Sequence, residues 1–232
     1  MTLLSPIPPA RSRRPFLPPT EPEEIWDLAE RLNGQPVPGV RMTEREFVDW
    51  CPAEVIAEWV DGEVILVPTA TPGHNSREVL LGSIVLGFAE HHDLGHVFIG
   101  TVPVRLPGRR RRRIPDVTFV AASRSHIIRD TFIDGAPDLI AEVVSPDSVA
   151  RDWVDKRDDY QRAGVREYWI ADPRHERFAA YALHGKAYRA IQPDDDGRLH
   201  SRVLKGLYIR PAWLWRSPLP KVAKILKELG VR

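Results

Sequence analysis

Three ionisable residues occupy positions where packing alone would not put them. Asp116 opens a β-prone run, Glu142 interrupts an apolar one, and Lys156 lies in the next helix-prone stretch. A carboxylate buried without a partner is strongly penalised, so Glu142 needs a cation or a metal beside it. A hard divalent cation takes carboxylate and carbonyl oxygens while keeping some of its waters. Asp116, Glu142 and the Val143 carbonyl can supply such a partial shell, leaving positions for water and phosphate. Val149, Trp153, Lys156 and Tyr160 follow one another at helical separations, so they share a helix face. A tight turn after Glu142 would bring that face, and Lys156, back over the strand end. The bland alternative is a lysine that snorkels along Trp153. The chemistry in view is that of a divalent cation holding water and phosphate beside an ammonium group.

The elements that must position these groups can be read in order. Residues 1–22 contain seven prolines and three arginines with no period, and Gly34, Pro36, Pro38 and Gly39 interrupt the chain again before residue 41. Residues 1–40 are therefore expected to form a flexible Pro/Arg-rich arm, with a short helix available between Glu23 and Asn33. Thr43 and Glu46 have the capping-box spacing and open a short helix. Asp61-Gly62 between two β-prone runs predicts a hairpin. From about His74 to His91, the residues Val79, Leu80, Ile84 and Phe88 form a helical stripe. Short strands are predicted over 96–100, 102–106 and 114–120, and a central strand over 139–144. A helix capped by Asp147 or Ser148 should run to Ala163 and stop at Gly164. A strand over 167–171 and a hairpin through His184-Gly185 close the domain, taken as residues 41–217. Residues 218–232 form a C-terminal amphipathic helix.

Composition sets the outer limits. The 232 residues, 43% hydrophobic and 28% charged, suit one domain with appendages and can bury a real core. A formal charge of +1 excludes a protein whose whole surface is basic, so the placement of charge is what informs. One cysteine, Cys51, excludes an internal disulfide framework and multi-cysteine zinc sites and suits a reducing cytoplasm. No run approaches a membrane span or a signal-peptide core, so a cytoplasmic protein with no membrane partner is expected.

The segments Ile114 to Val120, Pro137 to Pro146 and Ala163 to Pro173, with Lys156 between the last two, resemble the Uma-two family of the PD-(D/E)XK, restriction-endonuclease-like superfamily. The resemblance spans roughly residues 41–215 by motif order. It implies an α/β restriction-endonuclease-like core, a mixed β-sheet flanked by α-helices. It also implies Asp116 and Glu142 as metal ligands, Mg2+ or Mn2+ as cofactor, and Lys156 in the lysine role. The superfamily's simplest spacing puts that lysine at the position of Val144, so here the helix must supply it. Glu58 and His74 match a recurrent glutamate before the hairpin turn and a histidine before the long helix. Glu58 would complete the metal shell or hold a second ion. His74 would orient water or phosphate, or only cap its helix.

Arg109, Arg110, Arg111, Arg112 and Arg113 put positive charge beside Asp116 and, with Arg11, Arg13 and Arg14, suit a nucleic-acid backbone. The alternative is a solvated loop that blunts a sheet edge. His91, His92 and His96 read as surface residues, and Trp153, Tyr168 and Trp169 as core rather than stacking platforms. The expected function is a metal-dependent endonuclease acting on DNA in preference to RNA, with a homodimer fitting double-strand cleavage. The rival is a catalytically silent DNA-binding or assembly module on the same fold. Hydrolysis through a Cys51 nucleophile lacks the expected local signature.

Overall fold

The computed structural model describes residues 19–52, 54–108, 110–145 and 151–231. Strands β1 (Ala57–Val60) and β2 (Glu63–Leu66) form the predicted hairpin. Its turn residues Asp61 and Gly62 have φ of 50° and 95°, the pair of positive values that a twist-compatible two-residue turn requires. β1 also pairs with a strand made from the arginine run, β5 (Arg111–Arg113). β5 in turn pairs with β4 (Val104–Arg105), which runs parallel to β7 (Ile133–Asp134). The sheet order is β2-β1-β5-β4-β7.

The larger sheet has the order β11-β10-β9-β8-β6-β3. Its strands are β3 (Gly95–Ile99), β6 (Val117–Ala121), β8 (Leu139–Val143), β9 (Glu167–Asp172), β10 (Arg177–His184) and β11 (Ala187–Ala190). All its pairings are antiparallel except β8 with β9. That parallel pair needs a crossover. Its described part is a π-helical turn, Arg151–Lys156, running into α4 (Arg157–Ala163) and ending at Gly164 with φ 90°. Residues 146–150, which contain the expected helix cap and Val149, lie outside the described residues. A further two-stranded ribbon joins β12 (Leu199–His200) to β13 (Tyr208–Ile209).

Alternation along β8 divides the core. Leu139, Ala141 and Val143 face one cluster with Ile84, Val85 and Phe88 of α3 (Pro72–His91). Ile140 faces the other, with Tyr160, Tyr168 and Ile170. Glu142 shares the parity of Ile140, so the strand itself aims it at the crossover. The stripe on α3 is wider than predicted: Leu81 and Val85 are buried beside Leu80, Ile84 and Phe88, whereas Val79, between these rows, is 45% exposed.

One expectation needs correction. Residues 22–40 are packed: α1 (Pro22–Leu32) buries Ile25 and Ala29, Val37 and Val40 are buried, and the Val37 amide donates to the Val64 carbonyl at 2.8 Å. Apolar contact with the hairpin outweighs the local breakers, so the packed unit begins before Arg41; residues 1–18 of the proposed arm lie outside the described residues. Within the expected C-terminal amphipathic segment, α6 (Val222–Glu228) places Ile225 in the core shared with α3. Part of the arginine run, Arg111–Arg113, forms strand β5, where the alternative weighed was a solvated loop. The short helix α2 (Glu44–Trp50) carries the predicted Thr43/Glu46 capping box.

Candidate active site

The register of β6 against β8 pairs Val117 with Ala141, so one step further Asp116 lies level with Glu142 at a shared strand end. Asp116 Oδ2 accepts a hydrogen bond from the Val143 amide at 2.6 Å, which ties the two strand ends together. Glu142 is held from the crossover side. Its Oε2 accepts from Lys156 Nζ at 2.9 Å and its Oε1 from the Tyr160 hydroxyl at 2.7 Å. Lys156 and Tyr160 are one helical turn apart, as their spacing predicts. Lys156 does not snorkel: it is 6% exposed, and its ammonium also lies 3.3 Å from Asp152 and 3.8 Å from Glu58.

Behind this centre the arginines form a buried ion network. Glu58, from β1, accepts from Arg113 Nη1 at 2.7 Å and from the Ile114 amide at 3.1 Å. Arg113, 2% exposed, reaches Asp159 of α4 with Nη2 at 2.7 Å and Nε at 3.1 Å. Arg111 Nε donates to both Asp159 oxygens at 3.1 Å, and its Nη1 pairs with Asp61. Arg112 points to the opposite face, bonded to Glu44 at 2.8 Å with its guanidinium 4.5 Å from the Phe132 ring centroid. Strand alternation explains the split. Arg110 remains exposed over Trp59, and Arg109 lies outside the described residues. The run was expected to meet a phosphate backbone, but Arg111, Arg112 and Arg113 are already engaged by Glu58, Asp61, Asp159 and Glu44.

Burial and charge act in opposite directions across the site. Burial pushes Glu142 up to about 7 against the pull of Lys156. Burial, reinforced by the Glu142 charge, holds Asp116 well above the usual aspartate range. Burial would also raise Glu58, but Arg113 and Lys156 bring it down to about 2. Lys156 loses hydration, yet Glu142 and Asp152 raise its pKa and keep it an ammonium. His74 is lowered by burial despite Asp152, which favours the neutral imidazole that can accept a bond or ligate.

Residues 45–212 match the model of the Uma2 family, described as "Putative restriction endonuclease". The chain belongs to the Uma2 family. The fold is similar to that of a crystal structure from Anabaena variabilis described as "a putative nuclease belonging to DUF820", with a TM-score of 0.63 and 17% identity over 75% of this chain and 97% of that one. At that identity the likeness carries the fold alone, and it agrees with the mixed α/β architecture expected from sequence. No curated protein matches the chain. The family supports a nuclease. No helix among the described residues is long and apolar enough to cross a membrane.

The Uma2 chain brings His74, Glu78 and Asp116 together: each offers one donor atom, and the three atoms lie within 4.8 Å of one another. His74 Nε2 is 3.5 Å from Asp116 Oδ2 and 3.9 Å from Glu78 Oε2, while its buried Nδ1 has no hydrogen-bond partner among the described residues. Two carboxylates and an imidazole fit a divalent cation. A carboxylate has about four lone-pair sites, so Glu142 can keep Lys156 and Tyr160 and still ligate. Glu78 is absent from the sequence-based candidates. Its signal was an acid one turn after His74 in the first turns of a helix, obscured by the helix's apolar pattern. The Thr71 hydroxyl caps α3 by accepting from the His74 amide, so the His74 side chain is not needed as the cap.

The remaining candidates separate from the site. Burial pushes the Cys51 thiol up, the opposite of an activated nucleophile. His91, His92 and His96 are exposed. Trp169 donates to Glu167 at 2.6 Å and Tyr168 to the Asp152 carbonyl at 3.0 Å, both from within the core. Tyr168 therefore helps fix the turn that carries Lys156.

Proposed function

We propose that the protein is a metal-dependent endonuclease hydrolysing phosphodiester bonds in DNA, with Asp116 and Glu142 as metal ligands and Lys156 assisting water activation and charge stabilisation. The observation that carries this reading is the approach of Lys156 Nζ to Glu142 at 2.9 Å, beside Asp116 at the same strand end. His74 and Glu78 extend the donor set on the Asp116 side, and the Val143 carbonyl remains a candidate ligand. A bound divalent cation would supply Lewis acidity toward water and the phosphoryl oxygens. Oxygen donors favour Mg2+ or Mn2+, and the single imidazole is tolerated better by Mn2+.

The chain's own groups have distinct tasks. Lys156 presents a permanent positive charge to the developing phosphate charge. Tyr160 holds the second Glu142 oxygen and so fixes the carboxylate's rotation. Glu58 balances Arg113 and Lys156 and keeps the ammonium close to the strand end. Neutral His74 has one lone pair on the Asp116 side, which serves either as a donor to the cation or to orient a water there. The setting we assign is a reducing cytoplasm, consistent with a single cysteine, and double-strand cleavage would be simplest for a two-fold dimer.

The test is incubation of supercoiled plasmid, single-stranded DNA and an RNA of the same sequence with the protein in Mg2+, Mn2+ or chelator. Metal-dependent nicking of DNA with slower RNA cleavage is expected. Cleavage that persists in chelator would contradict the proposal.

A further inference from the structure

The last 31 residues, from Arg202 to Arg232, hold eight basic side chains and one acid, Glu228; the preceding chain holds 25 basic and 31 acidic residues. Positive charge is therefore concentrated in a segment for which the catalytic reading has no use. Part of it lines a cleft of about 690 Å³ between α5 (Ala212–Trp215) and α6, with Trp213 and Ile225 at its buried base and Arg210, Arg216, Lys221 and Lys224 around it. Glu228 is already taken up, at 3.1 Å from Arg210 and 2.9 Å from the Tyr208 hydroxyl. Arg216, Lys221 and Lys224 are exposed and make no ion pair among the described residues.

One wall of the cleft is tied to the helix that carries His74 and Glu78. Arg77 donates through Nε to the Leu214 carbonyl at 2.9 Å and through Nη1 to the Gly73 carbonyl at 2.7 Å, so α5 abuts the first turns of α3, which carry His74 and Glu78. The other wall touches α3 near Gly87, where an added Cβ would lie 2.6 Å from Leu226 Cδ1. Gly87 lies ten helical steps beyond Arg77, a rise of about 15 Å. That length matches about four phosphates of one duplex strand.

We infer that the α5–α6 cleft binds the phosphodiester backbone of the nucleic acid, with Arg216, Lys221 and Lys224 as backbone contacts beyond the cleavage site. This rests on the nucleic-acid substrate of the proposed function and assigns to the C-terminal segment the role expected of the arginine run. Exposed cations that hold no close ion pair suit sequence-independent phosphate contact, whereas Arg111 and Arg113 are already neutralised by buried acids.

Binding of a short fluorescein-labelled duplex to the full chain in chelator, followed by anisotropy over a salt series, tests this without requiring cleavage. Three lost phosphate contacts flatten the salt dependence, so raising salt from about 50 to about 200 mM should weaken the Arg216→Ala/Lys221→Ala/Lys224→Ala variant about 40-fold less than the parent. Its affinity at low salt should fall with an unchanged thermal midpoint, and the charge-keeping Arg216→Lys/Lys221→Arg/Lys224→Arg variant should bind like the parent. A triple-alanine variant with the parent's affinity and slope would overturn the inference, as would a parent that binds no duplex or binds poly-glutamate equally well. Parallel plasmid assays separate the two readings: salt-dependent binding lost in the triple-alanine variant, with no nicking by the parent, leaves the cleft standing and removes the nuclease.

Discussion

The Tyr160 hydroxyl donates to Glu142 Oε1 at 2.7 Å, and both residues are almost wholly buried. Lys156 occupies the other oxygen, so the carboxylate cannot rotate without breaking a bond to one side chain of the crossover helix. Tyr160→Phe keeps the ring and removes that constraint. Leaving a buried acceptor short of a donor should cost about 1–3 kcal/mol, read as a lower denaturant midpoint at constant slope. Cleavage should slow as well, while the retained ring preserves packing against Tyr168.

Arg113 is a second test of how the site is held. Arg113→Met leaves Glu58 and Asp159 facing one another without their shared guanidinium, a loss expected to cost about 3–5 kcal/mol in thermal or chemical denaturation. Arg113→Lys should recover only part of it, because a single ammonium cannot reach both acids as the fork does. A double-mutant cycle with Asp159→Asn should show strong coupling.

Glu58 supplies a pH dependence whose direction is set by its lowered pKa. Folding moves it from 4.5 to about 2, so its stabilising contribution is complete above 4.5 and disappears as pH falls through about 2. At about 1.36 kcal/mol per pKa unit the contribution is roughly 3 kcal/mol. Denaturation midpoints measured down the acid limb should fall over that window, and Glu58→Gln should flatten that part of the curve.

Glu78 tests the donor set that the structure adds. Glu78→Gln should weaken Mn2+ binding, measured calorimetrically or by electron paramagnetic resonance, by at least about tenfold, the scale reached even by outer partners of metal ligands. Folding should change little, since the amide can still accept from Asn75. Unaltered affinity would remove Glu78 from the metal site.

The Asp61-Gly62 turn, the long helix over α3, the apolar strand around Glu142 and the stop at Gly164 were legible because each is encoded within a few neighbouring residues. The placement of Lys156 and Tyr160 was legible for the same reason. Strand β5 was not: its arginines have no β pattern, and the acids that stabilise them are Glu58 and Asp159, 55 and 46 residues from Arg113. The packing of α1 against the hairpin was hidden in the same way, since local prolines and glycines spoke for a loose arm and only the tertiary contact of Ile25 and Val37 overrides them. Glu78 was obscured by its setting in an apolar helix, although its spacing from His74 was visible.

The central claim is most directly tested by plasmid nicking in Mg2+ and Mn2+ with the intact protein, Asp116→Asn and Glu142→Gln, all shown by anisotropy to bind DNA. The account predicts metal-dependent nicking by the intact protein and loss of nicking in both variants with folding retained. Nicking that survives in either variant, or an intact protein that binds DNA and cuts with neither metal, would contradict it.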